Sequence, residues 1–130
     1  MIYTGYYAKI KEYEQNGLTP VGISGWQPDG FTGKTYKKLA PKYVWWKKWH
    51  DKNLSEQWYI DKYYETVLNV LNPITVKQEL QNIDKDVILL CFETPEKFCH
   101  RHLVAKWLNE KTGLAVQEYI LQSQQTQMQL

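Results

Sequence analysis

The sequence predicts a three-layer α/β sandwich in which a mostly parallel central sheet is flanked by helices. Three observations carry that expectation. The hexapeptide Val87-Ile88-Leu89-Leu90-Cys91-Phe92 is apolar on both alternating faces, the pattern of a strand covered by helices on both sides. Short strand-like runs alternate with longer stretches of helical periodicity. The length of 130 residues suits one core and is short for two. A single domain is therefore expected over residues 1–121, with residues 122–130 a Gln-rich tail expected to fray.

Taken in order, Ile2-Tyr3-Thr4 reads as a first strand ending at Gly5, followed by a helical stretch through Ala8, Ile10 and Tyr13 that stops at Asn16-Gly17. Val21-Gly22-Ile23-Ser24 reads as a second strand, entered through Pro20 and left through a turn-rich loop from Gly25 to Gly30. Residues 34–52 are basic and aromatic, with one short helix expected before Pro41 and another from Tyr43 to about His50. Ser55 is the expected N-cap of a longer helix carrying Ile60, Tyr63, Tyr64, Val67 and Leu71 at helical spacing. Asn72 and Pro73 then cap and begin a helix with Val76, Leu80 and Ile83 on one face. After the central strand, Thr94 and Pro95 are expected to start a helix running to Lys111 and stopped by Gly113, with a last strand from Ala115 to Ile120.

Hydrophobic residues at 43% and charged residues at 23% describe a globular chain, and a net charge of +2 establishes neither a nucleic-acid nor a membrane partner. The ten Tyr and six Trp exceed ordinary core needs and point to stacking surfaces or a homodimer contact. Two cysteines are too few for a disulfide scaffold, no secretory pattern opens the sequence, and the longest apolar run is strand-sized. A cytoplasmic protein with reduced thiols and no membrane span is expected.

The chemistry concentrates between Cys91 and Arg101. Ligands of open α/β sheets bind beyond the carboxyl ends of strands, where helix N-termini present amides and positive dipole. Cys91 ends the central strand, and Arg101 adds a guanidinium suited to phosphate or carboxylate. Cys99 sits where a helix dipole and the neighbouring His100 would favour a thiolate. Glu93 in the connecting loop could accept from a ribose hydroxyl or carry a proton. Cys99, His100 and Glu93 are thus the catalytic candidates. The plain alternatives are that Cys91 is inert packing, that His102 faces elsewhere, and that Arg101 makes a structural salt bridge. A Cys-x5-Arg phosphatase loop is excluded by spacing, because Cys91 is too far from Arg101 and Cys99 too near. No CxxC-like pairing supports a metal site, and no cofactor motif is read.

The segments Leu89-Leu90-Cys91-Phe92-Glu93 and Phe98-Cys99-His100-Arg101-His102-Leu103-Val104-Ala105 closely resemble the signature of domain-of-unknown-function (DUF) family 488. Thr4-Gly5-Tyr6-Tyr7, Ile23-Ser24-Gly25-Trp26 and Lys38-Leu39-Ala40-Pro41 look like other recurring segments of its short branch, which carries a Cys-His-Arg-His signature. The resemblance implies a compact α/β domain and carries no established activity with it. If the signature marks a ligand site, Tyr3 and Gly5 at the end of the first strand, and Ser24 and Trp26 at the end of the second, are expected to join it. Gly5 would admit a phosphate close to backbone, Ser24 would donate a hydroxyl, and Trp26 or Tyr6 would stack on a base. The plain reading of the same residues is turn chemistry and an edge of the core.

The leading expectation is a module binding a phosphate-bearing small molecule, a nucleotide or ADP-ribose-like ligand, in this sheet-edge pocket. The first alternative is an enzyme that hydrolyses or transfers a group from such a ligand through Cys99, His100 or Glu93. The second is a nucleic-acid or protein adaptor using the seven lysines and interleaved aromatics of residues 34–52. Sequence-specific DNA reading is disfavoured there, since the stretch has no arginine.

Overall fold

The computed structural model describes residues 1–121. Its five strands are β1 (Ile2–Tyr6), β2 (Thr19–Gly22), β3 (Lys34–Thr35), β4 (Val87–Cys91) and β5 (Gln117–Glu118). Every pairing is parallel and the spatial order is β3-β2-β4-β1-β5. The helices are α1 (Ile10–Gln15), α2 (Tyr43–Asp51), α3 (Glu56–Thr66), α4 (Pro73–Ile83) and α5 (His100–Thr112). The expected α/β sandwich is present, and among the described residues no helix is long and apolar enough to cross a membrane.

The central strand divides the core because successive side chains point to opposite faces. Val87, Leu89 and Cys91 join the larger core, with Tyr63 of α3, Val76 and Leu80 of α4, and Val104 and Leu108 of α5. Ile88 and Leu90 join a smaller one under α1, with Tyr7, Tyr13 and Leu18. All five residues of β4 are buried, as their unbroken apolar sequence requires.

Local chemistry sets the helix ends. Ser55 Oγ accepts from the Trp58 amide at 3.1 Å. Asn72 Oδ1 accepts from the amides of Ile74 and Thr75 at 2.9 and 3.2 Å, ahead of Pro73 in the first turn. Gly113, at φ +77°, closes α5 in the left-handed conformation that a Cβ disfavours.

Several boundaries differ from the sequence reading. The helix begun at Ser55 ends at Thr66, and a turn of 3-10 helix over Leu68–Val70 carries the chain to Asn72. Pro20 lies inside β2 instead of before it, and Ile23 and Ser24 follow the strand. The short strand β3 arises within the basic stretch, where two exposed residues carry no apolar alternation. Only Gln117 and Glu118 of the expected last strand pair with β1. Thr94 and Pro95 do not start α5: Thr94 Oγ1 donates to Glu96 Oε1 at 2.6 Å, and the chain stays irregular until Cys99, whose extended backbone makes it the N-cap. The suggested frayed tail lies outside the described residues.

The topology fixes where a cleft forms. The connection after β2 runs to β3 on one side of the sheet order, and that after β4 runs to β5 on the other. Two neighbouring strands whose chains depart in opposite directions leave a crevice at their carboxyl ends. Replacing Asn72 with Ala removes the cap of α4 and should lower unfolding free energy by about 1 kcal/mol in urea denaturation. Gly5→Ala would bring a Cβ within 2.7 Å of Ile88 Cδ1 and 2.8 Å of Tyr13 Oη, so a loss of about 1–3 kcal/mol is expected.

Candidate functional site

The crevice between β2 and β4 opens into a cavity of about 620 Å³. Ser24 and Gly25 reach it from the end of β2, Cys91, Phe92 and Glu93 from the end of β4, and Cys99 and His100 from the start of α5. Its walls are aromatic. Tyr43, Trp46 and His50 line up on one face of α2, with Tyr43 and Trp46 centroids 6.3 Å apart at 22° and Trp46 and His50 centroids 5.1 Å apart at 15°. Across from them, Trp26 meets Trp46 edge-on at 5.0 Å and Phe92 at 6.4 Å. Tyr59 and Phe98 pack edge-to-face at 5.0 Å.

The floor is a cluster of two thiols and an imidazole whose ligand-capable atoms all lie within 4.8 Å of one another. His100 Nε2 sits 2.8 Å from the carbonyl oxygen of Ile23. A carbonyl only accepts, so Nε2 carries hydrogen and Nδ1 of the neutral ring is the acceptor. Nδ1 is 3.9 Å from Cys99 Sγ. Cys91 Sγ is 3.6 Å from Nδ1 and 3.5 Å from Nε2, a near-equal spacing that places it over the ring instead of in line with either lone pair. Cys91, Cys99 and His100 are the donors that could hold a soft metal ion, but the ring would have to turn away from Ile23 to offer both sulfurs a shared tetrahedral centre. The orientation seen suits proton exchange between Cys99 and Nδ1.

The two thiols have opposite electrostatics. Cys91 is fully buried, and desolvation pushes its pKa well above the ordinary thiol value. Cys99 is driven well below that value: the Cys91 thiol donates to its sulfur, and His100 and the Arg101 charge add to this against the cost of burial. Cys99 also occupies the N-cap of the thirteen-residue helix α5, where the dipole favours negative charge. Of the two sulfurs, Cys99 is thus the one whose surroundings favour the thiolate, and Cys91 the one they hold as a thiol.

Arg101 is placed differently from the sequence expectation. Its side chain is 0% exposed and does not line the cavity. Nε and Nη2 form a bidentate pair with Glu118 Oε1 and Oε2, both at 3.0 Å, and Thr4 Oγ1 donates to Glu118 Oε1 at 2.7 Å. The guanidinium lies 6.0 Å from the Tyr6 ring centroid. Burial would lower the Arg101 pKa, but the Glu118 carboxylate and the charge at Cys99 raise it above the usual arginine value. The positive field expected to receive a ligand's anion thus acts on the chain's own thiolate.

Other expected site residues divide. Ser24 reaches the cavity, but its hydroxyl donates to the Trp26 carbonyl at 2.5 Å and accepts from Tyr7 at 2.7 Å, so it holds the loop and has no proton for a ligand. Trp26 is half exposed and lines the cavity, as does Glu93. Tyr3 and Gly5 do not reach it: Tyr3 packs edge-to-face on Tyr119 at 5.1 Å, and Gly5 is small because Ile88 and Tyr13 fill the space beside it. His102 is half-buried with Nε2 unpartnered among the described residues, and burial lowers its pKa. The sequence reading missed Trp46, Trp49, Tyr59 and Phe98 as cavity walls. The spacing of Tyr43, Trp46 and His50 at three and four residues was the available signal. It also missed Glu118 as the partner of Arg101, because nothing local marks a contact seventeen residues away.

The buried pair has an asymmetric energetic signature. Glu118→Gln leaves a guanidinium without solvent or its paired carboxylate and should cost about 3–5 kcal/mol in urea unfolding. Arg101→Met leaves a carboxylate that keeps the Thr4 hydroxyl and some solvent, so its cost should be smaller. The double substitution should recover part of the Glu118→Gln loss.

Searches of curated proteins and of solved structures return no match. A family model does match, described as the active DUF488-N3 subclade, and it covers residues 10–112, including β2, β4, the thiol cluster and the aromatic face of α2. The chain therefore belongs to the DUF488-N3a family.

Proposed function

We propose that the protein is a thiol-dependent enzyme acting on a small molecule with a planar heterocycle, with nucleotides as the substrate class. One observation carries this reading: the Cys99 sulfur, whose pKa its neighbours hold low, lies 3.9 Å from His100 Nδ1 on the floor of an aromatic-walled cavity at the sheet's switch point. Aromatic walls favour flat rings, each stacking contact contributing roughly 1–3 kcal/mol. A cavity of about 620 Å³ is of the size that encloses such a molecule.

The chemistry assigned to the floor is nucleophilic. Cys99 Sγ forms a bond to an electrophilic centre of the ligand, and the leaving group departs with the electron pair of the broken bond. The proton taken from Cys99 by His100 Nδ1 returns to that leaving group, while the Ile23 carbonyl holds the ring in place. Water or a second acceptor then releases the sulfur, with Glu93 at the cavity wall able to take the acceptor's proton. For a phosphate-bearing ligand, Lys37 supplies an ammonium beside the cavity, held on the Gly25 carbonyl at 2.6 Å. The description of the subclade as active supports turnover over mere retention.

Titrating adenosine and adenosine monophosphate against tryptophan fluorescence should give saturable quenching from Trp26 and Trp46. Trp46→Ala should weaken binding about tenfold or more. Cys99→Ser should leave that affinity nearly unchanged while turnover, followed by chromatography of nucleotides, falls to background. Binding without product in the parent protein would reduce the reading to ligand retention, and no spectral response to either compound would remove the ligand class.

A further inference from the structure

Cys91 is a buried nucleophilic group that the proposed reaction uses only as a hydrogen-bond donor. It need not be a cysteine for that role, and its sulfur lies within 4.8 Å of Cys99 Sγ. The two differ in access. Cys91 is 1% exposed on the central strand, whereas Cys99 is 8% exposed at the cavity floor. A small oxidant entering the cleft therefore meets Cys99 first. As N-cap, Cys99 makes no side-chain hydrogen bond to the amides of α5, so its sulfur is not tied to the helix backbone. The residues before it, from Phe92 to Phe98, belong to neither helix nor strand.

We infer that Cys99 and Cys91 are a redox pair, in which a hydroperoxide oxidises Cys99 and Cys91 resolves the product into an intramolecular disulfide. In the first step the Cys99 thiolate attacks the peroxide, an S–O bond forms and the O–O bond breaks. The departing alkoxide or hydroxide takes the proton held on His100, leaving Cys99 as a sulfenic acid. Cys91 then loses its thiol proton and attacks Cys99 Sγ, and the displaced hydroxide leaves with that proton as water. The balance is two thiols and one hydroperoxide giving one disulfide, one alcohol or water from the peroxide, and one further water. Closure removes the nucleophile, so oxidation silences the thiol chemistry until a dithiol reductant reverses it. The inference shares with the proposed function the reading of Cys99 as a thiolate, and nothing in it depends on what the cavity binds.

The test treats the full chain with about one equivalent of hydrogen peroxide and reads intact mass and cross-linked peptides. The expected product has lost two hydrogens, carries a Cys91–Cys99 cross-link and returns to the parent mass with dithiothreitol. In Cys91→Ala and Cys91→Ser the expected product is a Cys99 sulfenic acid that dimedone traps. Oxygen added to Cys99 of the parent chain without a cross-link, or two free thiols surviving excess peroxide, would overturn the pairing. Iodoacetamide at neutral pH separates the two readings. Fast alkylation of Cys99 without a cross-link under peroxide defeats the redox pair and leaves the proposed catalysis standing. Slow alkylation at Cys99 together with no cross-link under peroxide defeats both.

Discussion

The bidentate pair between Arg101 and Glu118 is the constraint on which the site depends. It ties the first turn of α5 to β5, and Thr4 ties the same carboxylate to β1. A buried guanidinium without its counter-charge would cost several kcal/mol, so the start of α5 has one acceptable position relative to the sheet. That position puts Cys99 and His100 at the carboxyl end of β4, with His100 reaching the Ile23 carbonyl beyond β2. The positive charge that anchors the helix also bears on the cysteine sulfurs. One residue therefore fixes the geometry of the floor and adds to its electrostatics without touching the cavity.

Around this anchor the fold divides its work. The fully apolar β4 joins two cores of unequal size, and the larger one supports α3, α4 and α5. The aromatic excess of the chain serves both core and cavity: Trp45 is buried and donates to Thr66 at 2.8 Å, while Trp46 and Trp49 from the same helix face the cleft. The lysines of that segment stay on the outside, Lys47 pairing with Asp51 at 2.6 Å and Lys48 standing 5.9 Å from the Trp58 ring. Such exposed contacts add little to stability.

Much of this architecture was legible in the residues because its causes are local. The apolar run of β4, the caps at Ser55 and Asn72 and the stop at Gly113 each act within a few positions of chain. The location of the thiol cluster followed from the rule that sites form at strand ends. What was not legible depended on partners distant in sequence. Glu118 converts Arg101 from a ligand contact into an internal anchor, and the extended backbone at Cys99 moves the helix start past Thr94 and Pro95. The placement of α2 as a cavity wall requires the tertiary packing that brings Trp46 to Trp26, and no local preference encodes it.

The chemical claim reduces to the charge on one sulfur atom. Ultraviolet absorbance of the thiolate, followed in a pH titration of the parent chain and of Cys99→Ser, measures it directly. A group with a depressed pKa stays ionised until the pH falls through that lowered value, so the expected result is a thiolate signal of about one per chain at neutral pH, lost only on strong acidification and missing in Cys99→Ser. A signal that emerges only in the alkaline range of an ordinary thiol, about pH 8.5, or one that persists in Cys99→Ser, would contradict the assignment of Cys99 as the nucleophile.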